Sequence, residues 1–146
     1  MYLTYGQLHF LTDQFDAAKR WVDYVHGAGS EEFLWLDGTH FGDWLGLDAP
    51  EGSYKGSTDE GLIAGAFFAL STENLVKMGR ALGKNMAAYE ALYEHVRAAW
   101  PTRYAAEPGR VFGDTHTGYA LALAFDLVAQ QATYSATPDH QPHNTP

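Results

Sequence analysis

Four segments of the chain carry apolar residues at helical spacing, and they alternate between two kinds of pattern. Residues 13–26 and 84–100 place apolar side chains on one stripe and charged residues elsewhere, which predicts amphipathic helices with one exposed side. Residues 59–82 and 115–130 are apolar on every side over much of their length. A helix of that kind is expected to be covered all round. No segment of any length has the two-residue period of a strand.

Local signals bound these predicted helices. Ser57, with Glu60 three residues later, has the pattern of a capping box and predicts the start of the second helix. Pro101 is expected to end the third helix, because proline cannot donate a backbone hydrogen bond. Asp114 or Thr115 is a suitable N-cap for the fourth helix.

The connections alternate in length as well. Residues 27–56 and 101–114 form long loops, whereas the second and third helices are joined by little more than Gly83. In an antiparallel array both long loops then lie on one face, at the N-terminal ends of the apolar helices. This order predicts an all-α fold of antiparallel helical hairpins, part of an α/α toroid with inner and outer helices. A plain four-helix bundle is the alternative, but four helices do not easily surround two that are apolar all round.

Composition excludes several classes of partner. The net charge of −9 argues against nucleic acid and anionic membrane surfaces. No cysteine is present, and no apolar run reaches membrane-spanning length. The N-terminus lacks the pattern of a signal peptide, which predicts a cytoplasmic location. The composition of residues 132–146 predicts a disordered tail, which leaves residues 1–131 as one domain.

The long loop over residues 39–60 contains the candidate binding residues His40, Asp43 and Trp44. A loop of this length is uncommon in a compact domain unless it has a function. An Asp beside a Trp suits a sugar, because the carboxylate holds hydroxyl groups while the ring stacks on the pyranose. The alternative is structural, with Trp44 filling a core, Asp43 anchoring the loop and His40 hydrogen-bonded locally.

The sequence assigns no catalytic residue. Glycoside cleavage needs two carboxylates, about 5–5.5 Å apart for retention or about 6.5–9.5 Å apart for inversion. The long loops offer many carboxylates, and the pattern distinguishes no pair of them. No spacing typical of metal ligands and no nucleotide-binding motif is present, so neither a metal nor a cofactor is expected.

Five stretches of the chain, read in order, resemble the catalytic (α/α)6 barrel of bacterial α-L-rhamnosidases. The stretch HFGDWLGLDAP carries the most recognisable motif, GDWL at residues 42–45. The others are YGQLHFLTDQFDAAKRWVDYV, STDEGLIAGAFFALSTENLVKMGRALGK, AAYEALYEHVRAAW and GRVFGDTHTGYALALAFDLV. In the last of these, His116 stands where the family usually has Gln. The resemblance covers nearly everything from Tyr2 to Val128.

The resemblance implies an inverting glycosidase that acts on terminal α-L-rhamnosyl units, with its site at the N-terminal ends of the inner helices. It implies that Trp44 packs against the rhamnose ring and its methyl group, with His40 and Asp43 beside or behind it. The family's general acid precedes the GDWL loop and its general base lies far downstream, and neither region is found here. A six-hairpin barrel also has twelve helices.

The expectation is therefore an interior piece of the barrel that lacks acid and base and is inactive alone, with a rhamnose-containing carbohydrate as its partner. Two alternatives remain open. One is another α/α-barrel glycosidase. The other is a non-catalytic helical module that self-associates through exposed apolar helix faces.

Overall fold

A computed structural model describes residues 6–128 of the chain. This part is helical and contains no strand beyond two isolated bridges. A 3-10 turn at Phe112–Asp114 precedes the last helix. The four helices are α1 (Leu8–Ala28), α2 (Glu60–Ala81), α3 (Ala87–Tyr104) and α4 (His116–Ala124). The predicted tail, residues 132–146, lies outside the described residues.

Helix α2 is the centre of the fold, because it packs against α1, α3 and α4. Its side chains are buried along its whole length, from Leu62 near the start to Val76 near the end. Helices α1 and α3 each bury one stripe and expose the opposite side. The short link over residues 82–86 makes α2 and α3 an antiparallel hairpin. The alternation of outer and inner helices predicted from the hydrophobic pattern is therefore confirmed.

Trp100 fixes α3 to α2. Its side chain is completely buried, and its indole N–H donates a hydrogen bond of 3.0 Å to the carbonyl of Leu62. The ring lies on Gly65, where a Cβ atom would stand only 3.1 Å from the indole Cδ1. Glycine at this position therefore allows the wide ring to lie directly on the backbone of the inner helix.

Two predicted helix starts and one predicted cap are wrong. Helix α3 begins at Ala87 rather than near Lys84. Helix α1 begins at Leu8 rather than near Asp13, because the apolar spacing continues back through Leu11 to Leu8. Helix α2 is capped by Asp59, whose carboxylate accepts a 2.8 Å hydrogen bond from the N–H of Leu62. The predicted cap, Ser57, instead bonds to a carboxylate within the loop.

Pro101 does not end α3, which continues for one further turn to Tyr104. Proline removes only its own N–H donor, and burial of the Tyr104 side chain against Trp100 retains the last turn. The predicted third helix is thus too short at its C-terminus.

The predicted fourth helix is too long, since α4 ends at Ala124. Asp126 takes a left-handed conformation, with φ of 53°, and the N–H of Leu127 bonds back to the carbonyl of Ala122 at 2.9 Å. This is a Schellman closure without its usual glycine. The expectation that α4 is covered all round is also wrong for the described residues, because Ala120, Leu123 and Ala124 are exposed.

Replacement of Trp100 by Ala should destabilise the fold by about 3–5 kcal/mol, because it leaves a cavity between α2 and α3. Trp21 is the matched control, since its ring is 45% exposed on α1 and Trp21→Ala should cost less than about 1 kcal/mol. Urea unfolding followed by circular dichroism measures both. Equal losses in the two variants would contradict the central role of Trp100.

Candidate functional site

The loop between α1 and α2 closes on itself at a narrow neck. The carbonyl of Asp43 accepts hydrogen bonds from the N–H groups of Gly46 (3.2 Å) and Gly56 (2.8 Å). The N–H of Leu45 donates to the carbonyl of Tyr54 at 2.6 Å. Residues 43–46 and 54–56 therefore lie side by side, and the chain between them projects from the neck.

The side chain of Asp43 joins this neck to the starts of both inner helices. Its Oδ2 accepts hydrogen bonds from the hydroxyl groups of Thr117 (2.6 Å) and Thr58 (3.2 Å). The hydroxyl oxygens of Thr58 and Thr115 are 2.9 Å apart, and both side chains are buried. Thr115 also caps α4 by accepting from the N–H of Gly118, which confirms one of its two predicted caps. A single carboxylate thus positions the loop and both helix starts.

A hollow of about 490 Å³ lies between the neck and the start of α4. Polar side chains and glycines form most of its wall. The exceptions are two large apolar side chains, Leu45 and Leu47. Its lining consists of Asp43, Leu45, Gly46, Leu47, Asp48, Ser57, Thr58, Gly113, Asp114, Thr115, His116 and Thr117.

Asp48 is one of three carboxylates that line the hollow, with Asp43 and Asp114, and it is hydrogen-bonded to Ser57. The Ser57 hydroxyl donates to Asp48 Oδ2, and the Ser57 N–H does so at 3.3 Å. These bonds to the Ser57 side chain and backbone, in that order, hold the pKa of Asp48 below its usual value, with a smaller contribution from the charge of His116.

The carboxylates of Asp43 and Asp48 are too close together to act as an inverting pair. A Cβ atom at Gly56 would lie 2.7 Å from Asp48 Oδ1 and 3.2 Å from Asp43 Oδ2. The separation of the two oxygens cannot exceed the sum of these distances, which is below the about 6.5 Å that inversion requires. The hollow therefore has hydrogen-bonding capacity for a ligand, but no inverting acid–base pair made from these two groups.

The three predicted binding residues do not converge on one surface. Asp43 lines the hollow, whereas Trp44 and His40 are not among the residues that line it. The Trp44 ring is 51% exposed and packs against Tyr54, with centroids 5.5 Å apart. The His40 ring packs edge-on against the ring of Trp35, with ring centroids 4.6 Å apart. Its Nε2 atom is buried without a hydrogen-bond partner among the described residues.

Sequence reasoning missed the threonines of the hollow and Leu45. Thr58 and Thr117 lie at helix starts, where a hydroxyl is usually explained as a cap, so their sequence gave no reason to pair them with Asp43. Glu60, the first residue of α2, is paired with Lys55 at 2.6 Å.

Residues 6–128 contain no group of three or more His, Asp or Glu side chains arranged to hold a metal ion. No helix in the same range is long and apolar enough to cross a membrane. The cytoplasmic location and the absence of nucleic-acid and membrane partners stay predictions.

Alternating outer and inner helices, with a polar hollow at the starts of the inner ones, define a helical-hairpin toroid of the kind found in glycosidases. Comparison with known proteins gives the family. Residues 1–141 match the model of the bacterial α-L-rhamnosidase six-hairpin glycosidase domain, and the chain belongs to this family. The fold class and the resemblance inferred from the sequence are thereby confirmed.

The similar proteins are much longer than this chain. An α-L-rhamnosidase of Formosa agariphila is 37% identical over 90% of this chain, which spans 14% of that protein. One from Alteromonas sp. strain LOR is 35% identical over 89% of the chain and 15% of its own length. The crystal structure of Streptomyces avermitilis α-L-rhamnosidase complexed with L-rhamnose superimposes with a TM-score of 0.77 and 34% identity. That match covers 90% of this chain and 12% of the crystallised one.

Removal of the Ser57 hydroxyl should raise the pKa of Asp48 toward the usual value of about 3.9. A lowered folded-state pKa stabilises the neck above the unfolded-state pKa, and this contribution is lost as the pH falls through the folded-state value. On acidification, the Ser57→Ala variant should therefore lose this stabilisation of the neck at a higher pH than the unmodified chain does. NMR titration of the carboxyl carbons measures both effects.

Asp37 is the internal control for this titration, because Ser30 lowers its pKa in the same way at a separate site. Its titration should be unchanged in Ser57→Ala. A pKa of Asp48 that does not move would show that Ser57 is not its main partner.

Proposed function

We propose that this chain forms one wall of an α-L-rhamnoside-binding site and belongs to an α-L-rhamnosidase that cleaves terminal α-L-rhamnosyl units. The observation that carries the proposal is the Asp43 carboxylate, which is fixed at the starts of both inner helices by Thr58 and Thr117. The names of the related proteins, and the L-rhamnose in the related crystal structure, supply the substrate class.

Asp43 has the chemistry to hold a sugar hydroxyl. Among the described residues its Oδ2 takes both threonine hydrogen bonds and its Oδ1 takes none, so Oδ1 has acceptor capacity for a ligand. Its partners in the fold are threonine hydroxyl groups rather than a basic side chain. Hydrogen bonds to a charged acceptor are stronger than neutral ones.

Trp44 and His40 keep distinct roles in the proposal. The Trp44 ring is half exposed, so a part of the substrate other than the rhamnosyl unit can stack on it. His40 has a structural role, because its backbone carbonyl accepts a hydrogen bond of 3.0 Å from the Lys55 ammonium group and so joins two parts of the loop.

Catalysis is proposed to need groups outside this chain. The parent family uses a protonated carboxylic acid for the leaving oxygen and a carboxylate to activate water. The sequence motif for that acid is not found in these residues, and Asp43 and Asp48 are too close to supply the inverting geometry. The chain alone should therefore bind a rhamnosyl unit without cleaving its glycosidic bond.

L-Rhamnose should bind the chain weakly, with a roughly millimolar Kd, because the hollow encloses only part of a sugar. Asp43→Asn keeps the size of the side chain and removes its charge, and it should weaken binding about tenfold or more. Glu51→Gln is the matched control, since it removes a loop carboxylate that does not line the hollow. Ligand-observed NMR measures the three affinities.

Nitrophenyl α-L-rhamnoside should not be hydrolysed by the chain, and nitrophenyl glucosides should bind less well than the rhamnoside. Hydrolysis would overturn the claim that the chemistry needs further groups. Stronger binding of the glucoside would favour another α/α-barrel glycosidase.

A second proposal concerns self-association through the exposed side of α4. Leu123 is 42% exposed, and Ala120 and Ala124 beside it are exposed as well, while Phe67 of α2 continues the apolar surface against the ring of Phe125. Such a surface favours association with a second copy.

Sedimentation velocity should show a dimer or larger species whose fraction rises with concentration. Leu123→Glu should shift the equilibrium toward monomer, because it places a charge on the apolar surface, whereas Ala98→Glu on α3 should not. A monomer at high concentration in the unmodified chain would refute this proposal.

A further inference from the structure

Backbone strain is concentrated at the hollow. Three residues other than glycine have positive φ in the described part of the chain, and two of them, Leu45 (64°) and Asp114 (51°), line the hollow. Aspartate tolerates this left-handed conformation, because its short polar side chain can hydrogen-bond locally. Leucine does not, since its Cβ comes too close to the following carbonyl oxygen. Strain of this kind persists where the surrounding structure imposes it and is often found at functional sites.

The stability of the fold does not explain why residue 45 is a leucine. Its side chain is 67% exposed and takes no part in the hydrophobic core. The conformation is imposed from outside by two hydrogen bonds, from its own N–H to Tyr54 and from the N–H of Gly46 to Asp43. Glycine would satisfy both bonds without strain. A leucine here costs the backbone some stability and contributes little packing.

The leucine does place an apolar group where the rest of the wall is polar. Of the lining residues only Leu45 and Leu47 carry large apolar side chains, and they stand among carboxylates, hydroxyl groups and glycines. A pyranose with hydroxyl groups around the ring needs such polar partners. A 6-deoxy sugar carries one group that does not, namely the methyl group at C6.

We propose that Leu45 is a specificity-determining residue that contacts the C6 methyl group of an L-rhamnosyl unit and disfavours the L-mannosyl unit, which carries a hydroxyl at C6. The proposal rests on the rhamnoside-binding function proposed above. Burial of a methyl group against the leucine is favourable. The hydroxyl of L-mannose would be removed from water beside the same apolar surface without gaining a partner.

Leu45 is better placed for this role than Leu47. The neck hydrogen bonds hold the backbone on both sides of Leu45, so its Cα–Cβ bond has a fixed direction at the wall of the hollow. Leu47 lies beyond the neck and is fully exposed. A contact that selects between two sugars requires a side chain that is already in position, because ordering a free one on binding reduces the gain.

The test compares L-rhamnose with L-mannose as ligands of the full chain, using ligand-observed NMR. The unmodified chain should bind L-rhamnose about three- to tenfold better, which is less than the roughly 10–200-fold of an enclosed apolar pocket because Leu45 covers the methyl group from one side only. Leu45→Ala keeps the strained backbone but removes the contact, and it should bring the ratio close to one. Leu47→Ala is the matched control and should keep the ratio. L-Lyxose, which lacks C6, should bind as weakly as L-mannose.

A thermal unfolding measurement separates a role in binding from a role in folding. Leu45→Gly relieves the strain and should leave the Tm unchanged or raise it by about 2–4 °C. A marked fall in Tm would show that Leu45 stabilises the neck, and would overturn the proposal. An unchanged ratio in Leu45→Ala, with L-rhamnose still bound, would overturn it while leaving the proposed function intact. If the unmodified chain bound no sugar, the proposed function would fail and this inference with it.

Discussion

Helix α2 sets the arrangement of the molecule, because a helix that is apolar on nearly every side must be enclosed by others. Helices α1, α3 and α4 all pack on it, and Trp100 reaches across to its backbone. Once α2 is enclosed, its two ends carry the accessible polar backbone groups of the inner layer. The long loops meet at one of these ends, where unpaired N–H groups favour polar ligands. The position of the site thus follows from how the core is covered.

Asp43 fixes the geometry of the site at this end of α2. Its backbone carbonyl closes the loop, and its carboxylate connects the loop to the starts of α2 and α4. Glu60, at the start of α2, is by contrast paired with the basic group of Lys55. Asp43 is held only by hydroxyl groups among the described residues, so it keeps part of its acceptor capacity. The Asp43 side chain thus anchors the loop and is also the group proposed to bind the ligand.

The sequence predicts the fold better than it predicts the site, for physical reasons. Hydrophobic period determines which side of a helix is buried, and it identified the inner and outer helices and the stripe that includes Val96 and Trp100. Helix ends depend on single hydrogen bonds, such as the Asp59 cap and the left-handed Asp126, and these were misplaced. The motif around Asp43 and Trp44 was found. That Asp43 lines the hollow while Trp44 does not, and that Asp43 pairs with distant threonines, depends on tertiary contacts that no local pattern contains.

Because the neck is closed by hydrogen bonds, the geometry at the base of the loop does not depend on the length of the loop. The bonds of Asp43 to Gly56 and of Leu45 to Tyr54 hold the two sides together, whatever number of residues lies between them. The entropy of closing a loop rises only slowly with its length. The tip over residues 49–53 can therefore be lengthened, shortened or exchanged while Asp43 stays in register with the inner helices. The tip of the loop is thus a replaceable module on a fixed base.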